Sequence, residues 1–195
     1  MELRGDFSRM LPRLRQGRLQ QELLVKAARI KGAEAPTAVD CTAGLGEDSL
    51  LLAAAGFAVT LFERDQTIAA LLADALERAA ADPRLAEAVG RMTLVAGNSI
   101  TGLATLPEPP DVVYLDPMFP ARTKSAAVKK KFQLLHHLEQ PCEEEEALVA
   151  AALAAQPRKV VINRPAMGAL LAGMKPSYSV AGKAVRYDVL VPPRP

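Results

Sequence analysis

The run Asp116-Pro117-Met118-Phe119-Pro120 places an acid, prolines and an aromatic ring directly after the hydrophobic segment 111–115. An amino group on an aromatic base has its lone pair delocalised into the ring, so a catalyst must orient and polarise the nitrogen. The Asp116 carboxylate and the Pro117 carbonyl can accept its two N–H bonds while Phe119 stacks on the ring. Asp116, Pro117 and Phe119 are therefore candidate catalytic residues. The alternative is a structural turn bounded by prolines.

A glycine turn forms a second candidate site. It occupies Asp40-Cys41-Thr42-Ala43-Gly44-Leu45-Gly46-Glu47-Asp48. Gly44 and Gly46 allow the backbone to approach a ligand that side chains would exclude. Glu63 follows 19 residues after Gly44, the separation at which an acid commonly receives ribose hydroxyls. The pair predicts an adenosine-containing cofactor, with a plain turn as the alternative.

Nicotinamide dinucleotides and S-adenosylmethionine (SAM) both use this arrangement. The dinucleotide fingerprint needs a small residue three positions after the second glycine, and Ser49 matches it imperfectly. Glu47 and Asp48 stand where a pyrophosphate would bind the helix N-terminus. These carboxylates favour a cofactor with a cationic sulfonium and an amino group, although the glycine turn and Glu63 alone leave a nicotinamide-dependent oxidoreductase open.

The run after segment 111–115 decides between them. Asp116 to Phe119 resembles the [DNS]-P-P-[FYW] motif of amino methyltransferases, with Met118 in place of the second proline.

Weaker signals follow two other predicted strands. Asn98 and Ser99 stand where this class recognises adenine, and Arg164 either reaches a substrate phosphate or caps a strand end.

Alternating strands and helices must position these residues. Hydrophobic periodicity predicts five strands, at 37–41, 57–62, 92–96, 111–115 and 159–163. Predicted helices cover 14–31 (basic and amphipathic), 48–55, 66–80 and about 143–155, and a hairpin covers 178–191. The pattern predicts an α/β, Rossmann-like fold: a mostly parallel seven-stranded sheet with helices on both faces and an antiparallel C-terminal hairpin. Together with the resemblance of the Asp116 run to amino methyltransferases, this implies a fold of class I methyltransferase type.

The length of 195 residues fits a single domain. We expect the methyltransferase domain to cover 32–195, preceded by a basic arm and helix, 1–31. The net charge is only +2, but residues 1–31 carry eight basic side chains against three acidic ones, and residues 121–131 carry five basic ones and no acid. Both segments predict a polyanionic partner such as RNA, with a solvated surface as the alternative. We expect no membrane span, no metal site and a cytoplasmic location; the oligomeric state stays open.

The sequence is similar to the RsmJ-type methyltransferases of small-subunit (16S) ribosomal RNA from about Arg29 to Tyr187. The shared residues are those of the glycine turn, Glu63-Arg64, Val113 to Pro120, Lys124-Ser125-Ala126 with Val128-Lys129-Lys130, and Arg164-Pro165. This resemblance implies SAM as cofactor and the N2 amino group of a guanine as acceptor. The alternatives are a methyltransferase that acts on another RNA base or a small amine, and a non-catalytic RNA-binding protein that kept the fold. The resemblance also implies cofactor contacts at Glu47, Asp48, Glu63, Arg64, Asn98, Ser99 and Asp116.

Two positions depart from this family. Glu47 stands where an Arg is familiar, and Asn98 where a Ser is. With the turn itself, the predicted cofactor residues also include Asp40, Gly44 and Gly46. The predicted RNA contacts are Arg122, Lys124, Lys129, Lys130 and Arg164.

Overall fold

The computed structural model describes residues 5–117 and 145–193. Seven strands in this part of the chain form one sheet in the order β3-β2-β1-β4-β5-β7-β6. The strands are β1 (Thr37–Asp40), β2 (Ala58–Glu63), β3 (Met92–Ala96), β4 (Val112–Leu115), β5 (Lys159–Pro165), β6 (Tyr178–Ala181) and β7 (Val185–Leu190). Strands β1 to β5 pair in parallel, and β7 pairs antiparallel with both β5 and β6. The predicted fold class is confirmed.

Seven α-helices connect or flank these strands among the described residues. They are α1 (Leu11–Leu14), α2 (Leu23–Ala28), α3 (Glu47–Ala54), α4 (Gln66–Ala80), α5 (Ala86–Val89), α6 (Ser99–Leu103) and α7 (Glu145–Ala154). Short 3-10 turns cover Phe7–Met10, Leu19–Gln21 and Leu171–Gly173. No helix in the described ranges has both the length and the apolar character needed to cross a bilayer.

Buried residues divide into two clusters that lie on opposite faces of the sheet. In β4, Val112 and Tyr114 belong to one cluster, whereas Val113 and Leu115 belong to the other. This alternation follows from the two-residue period of a strand. The cluster containing Tyr114 includes residues of α2, α3 and α4, and the second cluster includes residues of α6 and α7. Each face of the sheet is therefore covered.

The N-terminal segment corrects one prediction. Residues 14–31 do not form a single helix, because α1 ends at Leu14, a 3-10 turn follows, and α2 begins only at Leu23. Gly17 has φ +82°, and Glu22 adopts an extended ψ of 129°. Both values interrupt a helix. The Arg13 guanidinium binds the Glu22 carboxylate at 2.9 and 2.7 Å, which folds the segment back on itself.

This segment also packs into the protein. Phe7, Met10, Leu19 and Leu24 belong to the same buried cluster as α3 and β7. Part of the predicted arm therefore contributes to the core. The division at residue 32 stays a prediction.

Candidate active site

The strand order reverses between β1 and β4, which lie side by side at the centre of the sheet. In open α/β sheets, ligands bind outside the carboxyl ends of the strands at this kind of switch point. Asp40 ends β1 and pairs with Tyr114, two residues before Asp116, and Glu63 ends the neighbouring strand β2. The structure thus brings the glycine turn, Glu63 and Asp116 to one edge, as the sequence predicts.

Asp40 is a buried residue that stabilises the glycine turn. Its side chain is 1% exposed, and its carboxylate accepts the Thr42 N–H at 3.0 Å and the Ser49 hydroxyl at 2.6 Å. Burial raises the pKa of Asp40 to about 7, against the opposing effect of these two hydrogen bonds. The Asp40 carboxylate therefore holds the turn to the first helical turn of α3.

The turn needs its glycines for conformation and for space. Gly44 and Gly46 have φ of +53° and +76°, in the left-handed region that glycine tolerates. A Cβ on Gly46 would lie 2.7 Å from Leu72 Cδ1 and 3.2 Å from Phe7 Cζ. Gly46 is thus packed between α4 and the N-terminal segment.

Glu63 is joined to the same turn. One carboxylate oxygen accepts the Gly44 N–H at 2.9 Å, and the other accepts the Asp65 N–H at 2.8 Å. The side chain is only 6% exposed, and burial raises its pKa. Each carboxylate oxygen has two lone pairs, so Glu63 can hold the turn and still accept hydroxyl donors. Arg64, the next residue, is exposed.

Asp116 is tied to the turn through Thr42, whose hydroxyl accepts the Asp116 N–H at 2.7 Å. Asp116 is half-buried, and Pro117 is buried. The backbone that carries the candidate catalytic carboxylate is therefore fixed to the turn after β1. Thr42 is a site residue that the sequence did not predict. Its only signal was a hydroxyl inside the glycine turn.

Asp48 lies in the first turn of α3, where a carboxylate suits the positive end of the helix dipole. The Tyr114 hydroxyl donates a hydrogen bond to Asp48 Oδ2 at 2.6 Å, and burial raises the pKa of Asp48. The Tyr114 ring lies 6.4 Å from that of Tyr187, measured between centroids. Glu47 is half-buried beside Asp48.

The predicted adenine-recognition residues begin α6. Asn98 is the N-cap, and its side-chain oxygen accepts the Ile100 N–H at 2.9 Å. Ser99 is buried, and its hydroxyl interacts with the Cys41 thiol, whose pKa is raised by burial. Asn98 remains exposed, so its amide nitrogen can meet a ligand at the carboxyl end of β3.

Arg164 near the end of β5 is 4% exposed, and its Nε donates to the Ala169 carbonyl at 2.7 Å. Burial lowers the pKa of Arg164, and the charges of Asp116 and Glu145 interact with it. This placement favours the strand-capping role that the sequence left open. Contact between Arg164 and RNA stays a prediction.

Several predicted site residues lie outside the described ranges. They are Phe119, Arg122, Lys124, Lys129 and Lys130. Within residues 5–117 and 145–193, no three His, Cys, Asp or Glu side chains are grouped so as to hold a metal ion.

A parallel sheet with this switch point, its glycine turn, the acid after β2 and the Asp-Pro pair after β4 define a class I SAM-dependent methyltransferase. Residues 2–192 match a family model described as "Putative SAM-dependent methyltransferase". The chain belongs to this family. SAM is therefore the cofactor, and the nicotinamide alternative is wrong.

Relatives agree with this assignment. The chain is 49% identical over 175 residues to the ribosomal RNA small subunit methyltransferase J of Thioalkalivibrio sulfidiphilus, covering 89% of this chain and 69% of the relative. It is 40% identical over 190 residues to the protein of that name from Neisseria meningitidis, covering 96% and 75%. The resemblance to RsmJ-type proteins is confirmed.

Solved structures agree as well. A SAM-dependent methyltransferase from Neisseria gonorrhoeae superposes with a TM-score of 0.80 at 34% identity, covering 98% of this chain and 75% of that one. An rRNA methyltransferase from Streptomyces viridochromogenes, at 17% identity and a TM-score of 0.59, covers 89% and 84% and shares the fold.

Proposed function

We propose that this protein transfers a methyl group from SAM to the N2 amino group of a guanine in small-subunit ribosomal RNA. The observation that carries the proposal is the position of Asp116 and Pro117 beside the glycine turn, fixed by the 2.7 Å hydrogen bond to Thr42. The RNA substrate is supported by the names of the relatives. The guanine N2 atom is supported by the resemblance of the Asp116 to Pro120 run and the lysines after it.

The donor set at the switch point fits SAM. Glu63 offers lone pairs to ribose hydroxyls, and Asn98 and Ser99 offer polar groups for adenine. The glycine turn allows close approach of the backbone, while Asp48 and Glu47 place negative charge near the methionine end. Bound here, SAM supplies an electrophilic methyl group on a sulfonium. Arg64 and Asp40 complete the proposed cofactor site, Asp40 through its support of the turn.

On the acceptor side, the protein orients and polarises the amine. The Asp116 carboxylate and the Pro117 carbonyl accept its two N–H bonds, which increases electron density on nitrogen and aligns it for in-line transfer. Phe119 stacks on the base. Arg122, Lys124, Lys129 and Lys130 hold the RNA backbone, and the target base is turned out of its helix or loop. Because the proposed substrate is ribosomal RNA, the proposed location of the protein is the cytoplasm.

The test measures transfer of an isotope-labelled methyl group from SAM to small subunits purified from cells that lack this enzyme and, separately, to protein-free RNA from the same subunits. The RNA is digested to nucleosides and analysed by mass spectrometry. We expect label in N2-methylguanosine. Label in another nucleoside would overturn the choice of atom, and no label in either RNA would overturn the choice of substrate.

The variant Asp116→Asn tests the site. At saturating SAM we expect transfer to fall about 100-fold or more, because the amide accepts hydrogen bonds less strongly and carries no charge. The matched control is Asp111→Asn. Asp111 precedes β4 at its other end, where its carboxylate accepts the Thr37 N–H at 2.9 Å. The control should keep wild-type transfer, and an equal loss in both variants would contradict the role of Asp116.

A further inference from the structure

Tyr114 is a polar side chain in the middle of the buried sheet. It is 1% exposed, and its neighbours in β4 are aliphatic. A buried hydroxyl costs free energy unless it is hydrogen-bonded, whereas a phenylalanine would fill nearly the same volume without that cost. Packing alone therefore does not account for a hydroxyl group at this position.

The hydroxyl is bound to Asp48. It donates to Oδ2 at 2.6 Å, the short distance expected for an O–H donor and a carboxylate. The two residues are 66 positions apart in the chain. This hydrogen bond connects the strand that carries Asp116 with the first turn of the helix after the glycine turn. It also fixes the plane of the Asp48 carboxylate, and with it the second oxygen, Oδ1.

Groups of β7, α1, the residue before α2, and α3 itself act on this pair. The Tyr187 ring of β7 packs against Tyr114, and the charges of Arg13, Glu22 and Glu47 act on Asp48. Arg13 is itself held by Glu22, so its position beside the pair is set by the N-terminal segment. Because the Tyr114 ring is 1% exposed and packs against Tyr187, it has little freedom to turn away from Asp48.

We infer that Tyr114 is a positioning residue for cofactor binding, which acts by holding the Asp48 carboxylate in the orientation that receives the cationic methionine end of SAM. The inference rests on the proposed function in one respect, the assignment of Asp48 to the cofactor site. It adds a residue of β4 to that site. β4 then positions groups for both halves of the reaction. Asp116, which directly follows the strand, binds the acceptor amine, and Tyr114, within the strand, orients Asp48 for the cofactor.

Calorimetric titration with SAM tests the inference without RNA. The variants are Tyr114→Phe, Asp48→Asn and the double variant, and Tyr178→Phe on the exposed edge strand β6 is the control. We expect Tyr114→Phe to raise the Kd for SAM about tenfold, the effect of losing a hydrogen bond to a charged group. In steady-state assays its KM for SAM should rise while kcat and the KM for RNA stay unchanged. The control should match the wild type in every measurement.

The double variant separates positioning from a general loss of stability. If Tyr114 acts through Asp48, removing the hydroxyl from the Asp48→Asn protein should weaken SAM binding less than threefold. Wild-type affinity in Tyr114→Phe, or a full tenfold further loss in the double variant, would overturn the inference. Should Tyr114→Phe fail to fold, unchanged SAM affinity in Asp48→Asn would overturn it as well. Failure of the wild type to bind SAM would refute the proposed function instead.

Discussion

The buried carboxylate of Asp40 gives the protein an unusual dependence of stability on pH. Its pKa is raised to about 7 in the folded protein, from 3.8. Because the folded state binds this proton more tightly than the unfolded state, Asp40 stabilises the fold at low pH, and that stabilisation is lost as pH rises through 7. Most paired carboxylates act in the opposite direction, since their pKa is lowered on folding.

The magnitude follows from the shift. A difference of about three units between the folded and unfolded pKa of Asp40 changes the free energy of unfolding by about 4 kcal/mol over the full titration. Between pH 5 and pH 8 the folded protein loses about 2–3 kcal/mol of this free energy of unfolding, because the unfolded carboxyl is already ionised at pH 5. Asp40 is 1% exposed, so solvent screening does not appreciably reduce its contribution to the free energy of unfolding.

The perturbation is Asp40→Asn. An asparagine mimics the protonated carboxyl: its oxygen accepts the Thr42 N–H, and its amide donates to Ser49, leaving one N–H unpaired. At pH 8 we expect the variant to be more stable than the wild type by about 1–3 kcal/mol, after the cost of that unpaired N–H. At pH 5 this advantage should disappear.

Urea unfolding monitored by circular dichroism at pH 5, 6, 7 and 8 measures the effect. Asp111→Asn, which removes a carboxylate that is not deeply buried, serves as the control and should keep the wild-type pH dependence. If the Asp40→Asn variant were less stable than the wild type at pH 8, the raised pKa of Asp40 would be refuted. The same conclusion would follow if the stability of the variant depended on pH as steeply as that of the wild type.

Two further predictions concern the turn. Gly46→Ala should lower the free energy of unfolding by about 2–4 kcal/mol in urea unfolding, since its φ is +76° and its Cβ would lie 2.7 Å from Leu72. Gly17→Ala, at φ +82° with open space around it, should lose only about 1 kcal/mol, and equal losses would contradict the packing argument. Thr42→Val should reduce kcat about tenfold, because Asp116 loses the 2.7 Å bond to its N–H. An unchanged kcat would contradict this.

Local signals in the sequence predict some elements to the residue. The helix α4 runs over the predicted residues 66–80, because Asp65 caps it by accepting the N–H groups of Thr67 and Ile68. The strand β3 also has its predicted bounds, 92–96. By contrast, β5 extends to Pro165, two residues beyond the prediction, because it pairs with β7 up to Val185. That pairing is tertiary and has no local signal.

The N-terminal segment shows the same limit. Its apolar spacing predicts one helix, but Gly17 interrupts that helix. The ion pair between Arg13 and Glu22 stabilises a backbone that folds back on itself instead. An ion pair across nine residues cannot be distinguished from solvated charges in the sequence alone. Leu19, Leu24, Ala27 and Ala28 of this segment are buried, as an amphipathic pattern indicates, but the backbone does not form one helix.

At the site, the sequence predicts which residues follow each strand but not the bonds between them. The bond between Thr42 and Asp116 spans 74 positions, and that between Asp48 and Tyr114 spans 66. Both depend on the register in which β4 lies beside β1, with Asp40 opposite Tyr114. A polar residue inside a buried strand was the available signal for Tyr114. Aromatic residues are common in strands, so that signal alone did not separate it from the core.

The distribution of charge explains how a site rich in carboxylates can serve a polyanionic substrate. Asp40, Asp48 and Glu63 lie around the glycine turn, which suits a cationic cofactor and disfavours a phosphate group. A base amine is neutral and enters such a pocket without that electrostatic cost. Under the proposed function, the phosphates beside the target nucleotide must therefore stay outside, where basic side chains hold them. For a chain with a net charge of only +2, the positions of the cations matter more than their number.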